Sequence, residues 1–470
     1  MYRKKLLFLL LLNFLVTFST GCSPEVNRPP NIILIVLDTV RKDHLSCYGS
    51  KRETTPNIDR LAGQGVLFTN AVSTASWTLP SHASMFTGLY PSTHKATFAK
   101  AHIEDVTALT KVNFLDEKFT TLAEVLKDHG YSTGGFVAAA WCRAVFGLGQ
   151  GFDVYSDDYR SPGGRTAREI NDDAFEWLKN QKKTPFFLFI NYFDAHSPFD
   201  PPQPHKTLYQ DDPDSKDGYI LENKTISYVI KNKTKLPNVL REKILALYDG
   251  EIHYVDSEVG RLVAFFKTLK VYDNSIIIIT SDHGESFGEH YLMDHGRALY
   301  EELIDVPLII IGPNTPKAVR REFLVQNVDF MPTILDLLKI EIPPSCQGKS
   351  FLKPMMFQDT SPTRMSAFSE ASAERNWIKE YGERFNRDQE SIRTKEWKLI
   401  RSSNGEIELY QMATDPEELW NLVEDKPEET SKLMENLSQW EKTVHSDKPE
   451  SQKEIGGKTQ KQLRSLGYIQ

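Results

Sequence analysis

The sequence predicts an α/β fold: a central, mostly parallel sheet flanked by helices, with a small β-plus-helix subdomain at the C-terminal end. Three observations carry this. Continuous runs of β-branched and aliphatic residues recur along the first two-thirds of the chain, as in strands covered on both faces. Helix-like patterns separate them, and alternation of the two indicates a parallel sheet. After about residue 360 the character changes to short strand-like runs around turn residues.

The strand-like runs are Ile32-Ile33-Leu34-Ile35-Val36-Leu37, Phe186-Phe187-Leu188-Phe189-Ile190, Ile276-Ile277-Ile278-Ile279 and Pro307-Leu308-Ile309-Ile310-Ile311. The expected helices cover 121–127, 242–269 and 330–338. Residues 202–240 are polar and rich in Lys, Asp, Asn and Pro, which reads as a long solvated surface excursion. Near the end, Ser403-Asn404-Gly405 between two strand-like runs signals a hairpin, and 428–444 is amphipathic. The expected divisions are a leader at 1–22, a tether at 23–30, a catalytic domain at 31–360 and a C-terminal subdomain at 365–470.

Composition narrows the function. The 470 residues carry 56 basic and 64 acidic side chains, a net charge of -8, with no basic stripe. That argues against a nucleic-acid partner. Arg3, Lys4 and Lys5 precede an apolar run from Leu6 to Phe18, too short to span a bilayer comfortably and suited to a secretory signal. Ser19-Thr20-Gly21-Cys22 resembles a bacterial lipoprotein box, although Ser19 stands where an aliphatic residue is preferred; a plain cleaved signal is the alternative. The expected location is extracytoplasmic, as a periplasmic protein or cell-envelope lipoprotein, with membrane contact only through the N-terminus. Cys47, Cys142 and Cys346 show no paired spacing and read as free thiols.

Three strand ends carry polar groups: Asp38, then Asp194-Ala195-His196, then Ser281-Asp282-His283-Gly284-Glu285. Each alone is accounted for by a turn or a helix cap. Three ends in one parallel sheet converge on the edge where ligands collect. Asp38, Asp282 and His283 make an oxygen-rich set with one imidazole, which favours a single Ca²⁺, Mg²⁺ or Mn²⁺ ion over Zn²⁺.

A fourth element is Ser76-Trp77-Thr78-Leu79-Pro80-Ser81-His82-Ala83-Ser84-Met85-Phe86-Thr87-Gly88. It resembles the sulfatase signature, matching at Pro80, Ser81, Thr87 and Gly88. Asp43-His44-Leu45-Ser46-Cys47-Tyr48-Gly49 resembles the family's opening, and His196-Ser197-Pro198 its substrate-side histidine motif. Asp282-His283-Gly284-Glu285, Glu289-His290 and Tyr300-Glu301-Glu302 resemble its second metal half. Glu408-Leu409-Tyr410 and Asp415-Pro416 resemble its C-terminal subdomain. The resemblance spans roughly residues 30 to 425 and implies an alkaline-phosphatase-like fold, ester hydrolysis, a divalent metal and an anionic ester substrate: a sulfated or phosphorylated glycan, lipid or small molecule.

Four departures bear on mechanism. Thr78 stands where the family has the Cys or Ser that becomes formylglycine, so no formylglycine is expected. His82 replaces an Arg, and Thr39 replaces a second metal-binding Asp. The family's lysine is missing; His295 falls closest by count, with Arg297 its neighbour. Thr-x-Pro-x-His also resembles the nucleotide pyrophosphatase/phosphodiesterase branch of the superfamily, where a threonine attacks phosphorus. The resemblance thus implies Thr78 as metal-bound nucleophile and fourth ligand, and His196 as general acid. His82 and His94 are candidates for hydrogen bonds to Thr78 or to the transferred group. A second ion held by Asp194, His290 and His295 is a further option. Competing readings are a membrane-associated phosphoglycerol-type phosphotransferase and a non-catalytic binding protein.

Overall fold

The computed structural model describes residues 28–98, 111–158, 164–181, 185–210, 223–358, 361–444 and 451–465. The leader, Cys22 and most of the tether lie outside the described residues.

The main sheet runs in the order Val319–Arg321, Val66–Val72, Asp305–Ile311, Ser275–Thr280, Asn31–Leu37, Phe186–Tyr192, Ser132–Val137, Val154–Ser156. Asn31–Leu37 lies at its centre, parallel to Ser275–Thr280 on one side and Phe186–Tyr192 on the other. Every residue of these three strands is buried. Each buried Ile, Leu or Val side chain there contributes roughly 1.5–3 kcal/mol of hydrophobic stabilisation. The three strands point the same way, so their carboxyl ends share one edge, and the site is built there.

Asp305–Ile311 is the exception to the parallel pattern: it runs antiparallel to both of its neighbours, Ser275–Thr280 and Val66–Val72. Parallel neighbours need a long crossover, usually a helix. The link from Thr280 to Asp305 carries instead a two-stranded ribbon, Ser286–Phe287 with Met293–Asp294, and one short helix, Glu301–Ile304. The register shifts between Val306 and Leu308, at Pro307, which has no N–H for the ladder.

The expected helices form as Leu122–Asp128, Asn238–Thr268 and Phe330–Leu337. Leu122–Asp128 starts on a reciprocal cap between Thr121 and Glu124. The polar stretch at 202–240 departs from expectation. Asn223–Asn232 is a helix, and Val229, Ile230 and Leu236 are buried. The apolar spacing is present in the sequence, but the density of Lys, Asn and Asp around it obscures it.

The second sheet is antiparallel, in the order Ala367–Ala371, Gln389–Arg393, Trp397–Ser402, Ile407–Gln411. Its last hairpin turns at 403–405, where Gly405 takes φ 93°. Pro427–Val444 covers one face of the sheet, and Trp440 stacks on Phe368 at 4.6 Å. The chain then returns to the large domain: Gln452–Glu454 pairs with Lys111–Asn113, and Arg143 donates to Thr459 of the last helix at 2.7 Å. Cys47, Cys142 and Cys346 are free thiols.

Candidate active site

Asp38 is the first residue past the central strand, and its carboxylate is wholly buried. Oδ2 accepts from Asn191 at 3.1 Å, whereas Oδ1 has no hydrogen-bond partner among the described residues. The next residue, Thr39, bends the chain away at φ 58°, an unusual conformation for a β-branched side chain. Its hydroxyl donates to the carbonyls of Asp38 and Ala195, and its N–H donates to Asp282 Oδ1 at 3.2 Å. Thr39 therefore braces Asp282 through its backbone, and its hydroxyl is turned to carbonyls.

Asp282 and His283 follow Ser275–Thr280. Asp282 Oδ1 also accepts from the His283 N–H at 2.9 Å, and Oδ2 has no hydrogen-bond partner. His283 Nδ1 bonds to the Gly284 carbonyl at 2.9 Å. Donation there leaves the Nε2 lone pair turned to the carboxylates, the arrangement of a metal-ligating histidine. Gly284 is required by space: a Cβ would lie 2.0 Å from the Glu302 carbonyl oxygen.

One ligand atom each from Asp38, Asp282 and His283 falls within a 4.8 Å group. Burial raises the Asp38 carboxyl to about 7 and Asp282 well above its usual range, and it pushes His283 well below. Two buried carboxylates, each with an orphaned oxygen, beside a neutral imidazole call for compensating positive charge. A divalent ion fits that need, and the donor set suits it.

Thr78 opens the helix Thr78–Thr87. Trp77 is the capping residue and makes no side-chain cap, so Thr78 does not serve as the N-cap. Its Oγ1 lies 3.4 Å from His283 Nε2. Uncapped N–H groups at a helix start favour an anion. Ser81, one turn on, donates to the Asp282 carbonyl at 2.8 Å and accepts from Asn327 at 2.8 Å, which ties the helix to the metal loop.

The other histidines separate into distinct settings. His82 Nδ1 bonds to the Thr78 carbonyl at 2.8 Å rather than to its hydroxyl, and burial lowers it to about 4. His94 bonds to Ser84 and to the Ala96 N–H, turned to its own helix pair. His196 stacks on Phe193 with ring centroids 4.2 Å apart and bonds to the Ser197 carbonyl. Burial and the charge on His295 lower it to about 3, so it is neutral at rest. His295 is the opposite case. Burial alone would lower it, but Asp294 at 3.0 Å and Glu285 at 3.2 Å outweigh that and raise it to about 10. Its ring sits 4.4 Å from His283 and 5.0 Å from His196, which places a cation at the site.

Arg297 backs the site rather than entering it: it pairs with Asp294 at 3.3 Å and with Glu374 at 2.7 Å, donates to the His295 carbonyl and lies 4.0 Å over the Trp377 ring. The set Asp194, His290 and His295 is not assembled. Asp194 accepts from the Ala167 N–H at the start of Ala167–Leu178, and His290 stacks on Tyr300 at 3.6 Å.

Sequence reasoning missed Asn191, Asp294 and Asn327. Asn191 carried a signal, as a lone polar residue inside an otherwise apolar central strand. Asn327 acts through contacts across the chain and Asp294 through its neighbours His295 and Arg297, and neither carried a signal.

A family model described as Sulfatase matches residues 30–340, well over half of the chain. The chain belongs to the sulfatase family. A second model, described as N-sulphoglucosamine sulphohydrolase, C-terminal, matches residues 288–444 of this sulfatase. It is 26% identical to an N-acetylglucosamine-6-O-sulfatase of Bacteroides thetaiotaomicron, over 92% of this chain and 89% of the relative. It is 28% identical to a multifunctional alkaline phosphatase superfamily protein, PehA, of Trinickia caryophylli, over 68% and 76%. Among solved structures, one bound to its substrate D-glucosamine-2-N,6-O-disulfate superposes with a TM-score of 0.71 at 23% identity, over 90% of this chain and 99% of that one. A phosphonate monoester hydrolase of Agrobacterium radiobacter also gives 0.71, at 22% identity, over 88% and 96%. The chain is thus an ester-bond hydrolase of the alkaline phosphatase superfamily.

Proposed function

We propose that this sulfatase-family hydrolase uses the Thr78 hydroxyl as its nucleophile and acts on a phosphoric ester or diester, with sulfuric esters as weaker substrates. The observation that carries the reading is the seat of Thr78: first residue of a helix, with Oγ1 3.4 Å from His283 Nε2 beside the orphaned carboxylates. A divalent ion held by Asp38, Asp282, His283 and Thr78 would supply Lewis acidity, making the hydroxyl acidic at accessible pH and offsetting the charge of the substrate.

The Thr78 hydroxyl gives up its proton to solvent, its Oγ1 forms a bond to phosphorus as the bond to the ester oxygen breaks, and the leaving alcohol takes a proton from His295. The helix N–H groups and the His295 imidazolium face the charge that develops on the other oxygens. His295 carries a proton at neutral pH and His196 does not, so the acid role moves from His196 to His295. His196 is left to accept a proton from the water that then attacks the phospho-threonine and frees Thr78. A sulfo-threonine lacks the hemiacetal exit open to formylglycine, which is why phosphorus is favoured. His82 and Arg297 act as positioning residues, through the Thr78 carbonyl and through Asp294.

Replacing His295 by Asn is expected to lower kcat by roughly 10²–10³-fold, as for loss of one preorganised donor, with little change in KM. Export is proposed on the leader at 1–22 alone; among the described residues no helix is long and apolar enough to cross a membrane. The reading is tested by turnover of matched aryl phosphodiester, phosphate monoester and sulfate substrates with added divalent ions. Phosphodiester turnover above sulfate turnover is expected. Turnover of the sulfate alone, or of none, would overturn it.

A further inference from the structure

A second constellation lies at the junction between the large domain and the C-terminal sheet. His290 and Glu302 belong to the loop between Thr280 and Asp305, and Glu418 comes after the last hairpin. One ligand atom from each falls within a 4.8 Å group. They line a cavity of about 910 Å³ whose walls hold four Lys and Arg side chains against seven Asp and Glu.

The ion pairs around this cavity leave two carboxylates over among the described residues, the exposed Glu417 and the nearly covered Glu302. Arg41 serves Asp43 and Glu289, Lys42 serves Asp305, Arg393 serves Glu301, and Lys398 bridges Glu301 and Glu418. Glu302 has no Lys or Arg partner among the described residues. Its side chain is 8% exposed; Oε1 accepts from the Ser286 hydroxyl at 3.3 Å, and Oε2 faces His290 Nε2 at 3.9 Å without a hydrogen bond. Burial, Glu289 and Glu418 raise Glu302 to about 8, and burial lowers His290 to about 4. A cation set between them would satisfy both.

We infer that His290, Glu302 and Glu418 form a second divalent-cation site, separate from the catalytic set, which ties the C-terminal subdomain to the large domain. One imidazole with two carboxylates is the same donor set as in the catalytic group, and it accepts Zn²⁺ and Co²⁺ as well as Mn²⁺. Ligands of a tetrahedral Zn²⁺ stand about 3.3 Å apart, so the 3.9 Å gap between His290 and Glu302 closes by a small side-chain movement. Lys398 keeps Glu301 at 3.1 Å, and the Glu301 N–H holds Glu418 Oε2 at 2.6 Å.

Metal content of the purified full chain tests this, after chelation and reloading with Zn²⁺ or Co²⁺ and with Ca²⁺ as the control. Wild type is expected to bind two Co²⁺, and Asp282→Asn to keep one, seen by elemental analysis and visible absorption. His290→Ala and the near-isosteric Glu302→Gln should each lose the ion that Asp282→Asn keeps. Zn²⁺ should raise the melting temperature of Asp282→Asn and not that of Asp282→Asn with Glu302→Gln. If Asp282→Asn binds no ion, or if a folded Glu302→Gln variant binds as many ions as wild type, the site does not exist. Neither result bears on Thr78, so failure here leaves the catalytic proposal standing.

Discussion

Thr78→Ala is expected to lower turnover by roughly 10⁴–10⁶-fold, the range seen when a nucleophile acting as part of a unit is removed. The fold should persist, because the lost hydroxyl is not the helix cap: Trp77 holds that position, and the Thr78 hydroxyl makes only its contact to His283. Loss of a buried methyl and hydroxyl without a cap costs about 1 kcal/mol, within ordinary mutational effects. Thr78→Ser keeps the oxygen and should retain measurable turnover. Steady-state kinetics with circular dichroism on the same preparations check both. Activity of Thr78→Ala within tenfold of wild type would remove Thr78 from the reaction.

The second large effect concerns the ion-free protein. Asp38 is raised from 3.8 to about 7 by burial, and Asp282 is raised well above its usual range by burial and by Asp38. A carboxyl raised on folding is held protonated by the native state. Its stabilising contribution is complete below the unfolded value near 4 and is lost as pH rises through about 7. Chelated protein should therefore lose melting temperature steadily between pH 4 and pH 7, whereas metal-loaded protein should not. Asp38→Asn, with nothing to ionise, should be more stable than wild type at pH 7 without metal, yet inactive with it. Thermal unfolding against pH, with and without chelator, checks the sign. A chelated wild type that gains stability over this window would contradict the assignment of these carboxylates.

The fold was legible because its central strands are apolar on both faces, and runs such as 32–37 and 276–279 admit few other readings. Strand direction was not. Nothing within 305–311 states that it runs antiparallel; that depends on the length and content of the segment before it. The positions of Asp38, Asp282 and His283 were legible for the same reason as the strands, since parallel strands that stop together deliver their next residues to one edge. Protonation was hidden. His196 and His295 look alike in sequence, but Phe193 covers one and Asp294 with Glu285 flank the other, and this reverses their charges. His290 was expected beside His295 and lies instead with Glu302 and Glu418, because the ribbon at 286–294 turns its tip to the C-terminal sheet.

The central claim is that Thr78 forms a bond to the transferred group. The direct measurement is rapid acid quench of wild type during turnover of the phosphodiester, with mass spectrometry of the peptide that contains Thr78. The predicted result is a phosphoryl adduct on Thr78 that appears within a turnover, decays as substrate is exhausted and is absent in Thr78→Ala. An enzyme that turns over while this peptide stays unmodified, or that carries the adduct on another residue, would contradict it.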